Sequence, residues 1–266
     1  VDNLGQVVAA APAIAALLAA APQVQILATS RIRLGIGAGR LLPIEPLLGA
    51  RSDDAVQLFA QRAQQVLPDF QVTPENRPAV EAICARLDGL PLAIELAAAQ
   101  IPVYSLQAIS TMLTQAGLPL LSGGPRDQPA RLQTMEGSIA WSYGALDEAE
   151  ERAFRAFSVF AGGFGLAAAA AVLASGESNA VPPIDPRQPH ACSDSDVLTV
   201  VRSLTRKHLL FPDDDAPAHP GPRFRMLEPL RLFALEQLQA AGEEPLARLR
   251  HARYFTELAA VLDPLT

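Results

Sequence analysis

From residue 52 onward the apolar residues fall at helical spacing, and glycine and proline cut that spacing into short segments. Val56, Phe59, Ala60, Ala63, Val66 and Leu67 mark one face of the first segment. Its Ser52 suits an N-cap, and Asp53 and Asp54 suit the positive end of a helix dipole. A second segment starts near Thr73–Pro78, carries Val80, Ile83, Cys84 and Leu87, and stops at Gly89, which the pattern places at C′. Pro91 opens a third, LAIELAAAQI, and Ser105 caps a fourth, LQAISTMLTQ. Residues 122–130, SGGPRDQPA, have the composition of a linker. Half of the 266 residues are hydrophobic and only 5% are aromatic, which agrees with a mostly helical chain able to bury sizeable cores.

Beyond the linker the pattern changes. Residues 132–143 read as a helix in which Trp141 is expected to be mostly buried. Asp147 and Glu150 form an acidic variant of a capping box for a helix through Phe157. Gly162 and Gly163 break the chain before a short helix over 166–174, and the polar, proline-rich stretch 175–195 reads as a loop. Asp196 to Lys207 is helical, with Val197, Val200, Val201 and Leu204 on one side. LLF at 209–211 and RFRML at 223–227 flank a polar tip, the signature of a β-hairpin. Helices followed by a hairpin are the order of a winged helix-turn-helix. Two further helices are expected, over 229–240 up to Gly242 and over 245–262.

The first fifty residues have another character. Leu4, Val7, Val8, Ile14, Leu17 and Leu18 suit one helical face, closed by Pro22. VQILATSR at 24–31 has the look of a buried strand of a parallel sheet running into a bare arginine, although periodicity alone leaves a helix open. After the GIGAG loop, LLPIEPL at 41–47 reads as a second short strand or edge. Residues 7–21 lack a basic n-region and are too short to span a bilayer. The chain opens on Val1 and Asp2, which suggests a fragment entered in mid-domain.

Charge and cysteine usage narrow the function. The formal net charge of −7 does not attract phosphate backbones, so the bulk field argues against a main DNA grip. Cys84 and Cys192 have no metal-type spacing, which points to a reduced, cytoplasmic setting. His190, His208, His219 and His251 have no nucleophile-elbow or metal-ligand context. Arg31 has two readings. It is an ordinary solvated arginine, or it is a phosphate sensor at the carboxyl end of a parallel strand, where open α/β sheets bind ligands and a guanidinium can meet a phosphate bidentately.

Four stretches in this order resemble one family: VDNLGQVVAAAPAIAALLAAAPQVQILATSR, RLDGLPLAIELAAA, LQTMEGSIAWSYGALDEAEERAFRAFSVFAGGF and RFRMLEPLRLFALEQL. The chain resembles the NB-ARC-type region of the STAND ATPases of large bacterial LuxR-type and SARP-type transcriptional regulators. The resemblance implies a truncated parallel-sheet nucleotide-binding domain over 1–50, a helical domain with a GLP motif over 51–121, a linker, a winged-helix domain over 131–242 and the start of a helical repeat over 243–266.

It also implies roles. Asp2 resembles the Walker B aspartate, the catalytic and Mg²⁺-holding carboxylate. Ser30 and Arg31 resemble the sensor that reads the terminal phosphate of ATP. Gly89, Leu90 and Pro91 resemble the turn whose proline lies against the nucleotide base. Met226, Leu227 and Glu228 stand where related proteins carry Met-His-Asp, and form a candidate domain-interface switch. Leu227 replaces the histidine that would bond the diphosphate of ADP. The phosphate-binding loop, GxxxxGK[ST], is absent from these residues, so nucleotide hydrolysis is expected only of a fuller protein. The implied partners are nucleotide, other domains of the same regulator and a further copy on activation. DNA would be bound mainly through a domain not present here, and no membrane is implied. The alternative is a winged-helix DNA-binding module or interaction scaffold without nucleotide, in which Arg202, Arg206 and Lys207 would meet DNA. The acidic tip Asp213, Asp214 and Asp215 argues against that contact.

Overall fold

The structure is a computed structural model. It describes residues 4, 9–30, 34–37, 39–47, 52–115, 117–124, 127, 129–174, 195–213 and 221–262. The chain is mostly α-helical with one small antiparallel sheet.

Helix α1 spans Ala11–Ala20, with Pro12 in its first turn. The run that follows differs from its expected form. Residues 24–30 and 41–46 form no helix and belong to no ladder among the described residues, and Leu27, Leu41, Leu42 and Ile44 are exposed. A strand is completed by a neighbour, and the described residues supply none beside these runs. Leu4 comes back to this segment, donating its N–H to the Thr29 carbonyl at 2.9 Å.

Helices α2 (Ser52–Val66), α3 (Arg77–Arg86), α4 (Pro91–Ala98) and α5 (Leu106–Gln115) pack around Phe59, Ala63, Val80, Ile83, Ile94 and Ile109, all fully buried. The alanines of α4 and α2 let their backbones approach. Arg62 and Glu95 close the rim at 2.8 Å. Ser105 caps α5 as expected, its Oγ accepting the Ala108 N–H at 3.2 Å. The stretch with linker composition is held at its start. Gln100 donates to the Ser122 carbonyl at 3.0 Å, and Gly124 donates to the Gln133 carbonyl at 2.8 Å.

Helix α6 (Met135–Tyr143) starts on Thr134, whose side chain accepts the Gly137 N–H. Helix α7 (Glu148–Phe157) carries the full capping box, Asp147 and Glu150 each accepting the other's backbone N–H. Strand β1 (Phe164–Gly165), helix α8 (Leu166–Leu173), helix α9 (Ser195–Arg206) and strands β2 (Phe211–Pro212) and β3 (Arg223–Arg225) complete a winged-helix order. The sheet order is β1-β3-β2, with Phe164 opposite Phe224 and Phe211 opposite Arg225. Phe164 of β1 stacks on Phe160, with ring centroids 4.4 Å apart, and Phe157 packs against both at a tilt. Helix α10 (Glu228–Ala240) packs on α7 through Phe233 against Phe154 and on α6 through Phe233 against Tyr143, and helix α11 (Glu244–Leu262) packs on α8. No described helix is long and apolar enough to cross a membrane.

Trp141 overturns its expectation. It is 46% exposed, with the Arg131 guanidinium 5.2 Å above its ring. Met135 and Ile139 take the inward face of α6 instead. Asp213 also differs from the outward-facing tip that was expected. It is 16% exposed, donates its N–H to the Arg223 carbonyl and lies 3.7 Å from Arg223 Nε. Asp214 and Asp215 lie outside the described residues.

Candidate functional site

The α3–α4 turn begins as a helix stop. Helix α3 ends at Arg86, and two hydrogen bonds close it in a Schellman motif. Asp88 donates to the Ala85 carbonyl and Gly89 to the Cys84 carbonyl, both at 3.0 Å. The left-handed C′ position is therefore Asp88, at φ 51°, one residue earlier than the sequence pattern placed it. Gly89 follows, also left-handed, at φ 62°. Leu90 is extended, as a residue before proline must be, and Pro91 starts α4 with its fixed φ.

Glycine is required at 89 for a second reason. Its carbonyl accepts the Leu47 N–H at 2.9 Å, and an added Cβ would lie 2.6 Å from the Leu47 backbone. The turn thus holds the end of the 39–47 segment on its glycine.

Its aspartate faces the other way. Helix α10 has no local cap, because Leu227 occupies the N-cap position with an extended backbone and an apolar side chain. Pro229 removes one of the amides a helix start leaves without a partner. The Glu228 amide is met from 140 residues away, donating to the Asp88 carboxylate. Arg225, at the end of β3, approaches the same carboxylate at 3.4 Å. Burial pushes the Asp88 carboxyl above its ordinary value, and this outweighs the Glu228 amide and Arg225, which act the other way. Glu228 itself turns to Arg231 in a bidentate pair at 2.7 and 2.8 Å, which raises the arginine further. Arg231 also donates to the Ser158 carbonyl at 3.3 Å.

The sequence-derived candidates divide as follows. Gly89, Leu90, Pro91, Met226, Leu227 and Glu228 come together at this junction through Asp88 and Arg225. Met226 and Leu227 are buried, whereas the Pro91 ring stays exposed. Ser30 is exposed at the end of its irregular run. Asp2 and Arg31 lie outside the described residues. On α9, Arg202 and Arg206 are exposed, but Lys207 points inward, its Nζ 2.6 Å from Glu150 and 3.2 Å from the Ala145 carbonyl. This ion pair ties the Lys207 ammonium to the first turn of α7. His208 sits left-handed at the C′ position of α9, at φ 55°.

Asp88, Arg225 and Leu47 were missed by the sequence reading. The one local signal was an aspartate immediately before the glycine of a helix stop. Nothing local pairs it with Glu228.

The residues present fit a nucleotide on one side only. Exposed Pro91 is free to lie against a base. The start of α10 does not fit a diphosphate: the Leu227 side chain has no donor, and the Glu228 amide is already taken by Asp88.

No family model matches the chain. It is similar to proteins of Mycobacterium bovis and Mycobacterium tuberculosis named "Putative HTH-type transcriptional regulator", at 40% identity over 255 residues, 96% of this chain. A second relative from Mycobacterium tuberculosis, named an uncharacterized protein, is 30% identical over 249 residues, 94% of this chain. The chain spans 26% of the length of the first relatives and 58% of the second.

Proposed function

We propose that this chain is the switch segment of a larger cytoplasmic transcriptional regulator of the STAND type, whose state depends on ATP or ADP. The observation that carries the reading is the junction of the GLP turn with the start of α10 through Asp88 and Glu228. It joins the two motifs whose relative position such a switch would have to change. The names of the M. bovis and M. tuberculosis relatives support the regulatory part. In this reading residues 1–50 belong to a nucleotide-binding domain, 51–121 to the helical domain and 131–242 to the winged-helix domain. Asp2 with Mg²⁺, Ser30 and Arg31 serve the phosphates and Pro91 the base. Without a GxxxxGK[ST] loop the segment is not itself a hydrolase.

The test is nucleotide binding to the complete gene product, measured with a fluorescent ATP and a fluorescent ADP. Arg31→Ala should erase discrimination between the two, and Pro91→Ala should weaken both. Unchanged selectivity and affinity in both variants would overturn the reading.

The DNA-binding alternative has one observation in its favour, the exposure of Arg202 and Arg206 on the second helix of a winged-helix order. Lys207, tied to Glu150, counts against it. Arg202→Gln with Arg206→Gln should leave DNA affinity of the gene product within twofold. A tenfold loss would favour the alternative.

A further inference from the structure

We infer that Asp88 is an internal clasp, a carboxylate that occupies the start of α10 and locks the α2–α5 helices to the winged-helix elements without nucleotide.

Three observations lead there. The first is placement. Among the described residues Asp88, His208 and Gly242 stand at the left-handed C′ position of helices that end in the same Schellman geometry. Glycine adopts that conformation without a Cβ clash, so Gly242 is the ordinary solution. Asp88 and His208 are the non-glycine residues with positive φ among the described residues. His208 is exposed. Asp88 is directed into the molecule, its side chain 17% exposed.

The second observation is what it meets. A helix start is a cluster of amides without partners and carries a partial positive charge. Here the N-cap is a leucine, the second helical residue is a proline, and the first amide is satisfied by Asp88. The anion at the start of α10 is therefore part of the protein. Arg225 adds a cationic partner from β3, so one carboxylate touches both the strand that ends the wing and the helix that leaves it.

The third is the neighbour in sequence. Gly89 holds Leu47 through its carbonyl. The two left-handed residues thus bind opposite sides of one turn, the 39–47 segment on Gly89 and α10 on Asp88. A shift of the first side cannot leave the second in place unless the turn itself unwinds. The clasp shares the Asp88–Glu228 junction with the switch reading but contains no nucleotide contact, so amide exchange without nucleotide tests the clasp and nucleotide binding tests the switch.

The experiment uses the 266-residue chain without nucleotide and reads amide hydrogen exchange with thermal melting. Asp88→Gly keeps the left-handed backbone and removes the acceptor. Asp88→Asn keeps the backbone and an acceptor oxygen. His208→Gly calibrates the relief of left-handed strain where no clasp exists. Expected are a protected Glu228 amide in the wild type, exchange at least tenfold faster there and across residues 87–91 in Asp88→Gly, and α7 unchanged. Asp88→Asn should stay within threefold of the wild type at Glu228. His208→Gly should raise the melting temperature by relieving its left-handed strain, and Asp88→Gly, which relieves the same strain but loses the clasp, should gain less. The clasp is overturned if the wild-type Glu228 amide is unprotected, or if Asp88→Gly behaves like His208→Gly with no change at Glu228. It is equally overturned if exchange rises uniformly through α7, which would make Asp88 a general stability residue.

Discussion

Glu150 and Lys207 meet at 2.6 Å, which ties the first turn of α7 to the end of α9. The same carboxylate accepts the Ser203 hydroxyl at 2.6 Å and the Asp147 amide at 2.8 Å, so each oxygen is used. Burial opposes its ionisation, but Lys207, Ser203 and the Asp147 amide outweigh burial and hold the carboxyl below its ordinary value. A depressed folded-state value means that stability is present above the unfolded value and lost as pH falls through the folded one.

Lys207→Met should therefore cost about 2–4 kcal/mol, because it leaves a buried carboxylate without its cation. Arg206→Met, at an exposed neighbour, should change stability by less than about 0.5 kcal/mol. Urea titrations of both variants decide this. Equal effects would show that the Glu150 network does not hold α9. The melting temperature of the wild type should also fall more steeply than that of Glu150→Gln as pH drops below the glutamate range.

Gly89→Ala should be among the most damaging small substitutions in the chain. It places a Cβ at φ 62° and at 2.6 Å from the Leu47 backbone. The conformational part costs on the order of 1–3 kcal/mol, and the collision adds to it unless the 39–47 segment is displaced. Gly242→Ala shares the positive φ but meets nothing within 4 Å, so it measures the conformational part alone. Thermal melting of the pair should rank Gly89→Ala as the worse; equal shifts would mean that the Leu47 contact contributes nothing.

What the sequence revealed was local. The capping box of α7, the Ser105 cap, Pro91 at the start of α4 and the stop at Gly242 are all written within a few residues, and all formed. The runs 24–29 and 41–47 read as strands, but strand formation depends on a partner ladder that no local pattern supplies. The helix stop at 86–89 was legible to within one residue. That residue mattered, because the position before the glycine carries the carboxylate that reaches α10. A contact between Asp88 and Glu228, 140 positions apart, has no local signature. Trp141 failed for a related reason: α6 has apolar residues all round, and periodicity could not choose which face would turn inward.

Asp88 should give the opposite pH response from Glu150. Its folded-state value is raised by burial, so the stability it contributes is present below the unfolded value and lost as pH rises through the folded one. At neutral pH the wild type holds a costly buried charge beside Arg225 and Glu228, which Asp88→Asn does not. Asp88→Asn should therefore be at least as stable as the wild type at pH 7, and the gap should close as pH falls into the carboxylate range. Melting scans from pH 7 to pH 4 on both proteins check this. A gap that widens on acidification would mean that Arg225 and the Glu228 amide dominate over burial.

Trp141 is the single tryptophan in the chain, which makes its environment directly measurable. At 46% exposure its emission should be red-shifted and quenched efficiently by acrylamide. Arg131 above the ring adds a cationic neighbour, so iodide should quench more strongly than caesium. Arg131→Ala should remove that asymmetry while costing only about 0.5–1 kcal/mol, the usual worth of an exposed cation–π pair. A blue-shifted, poorly quenched signal would show instead that this face of α6 is covered in solution, either by residues outside the described ones or by a second molecule, and dilution would separate the two.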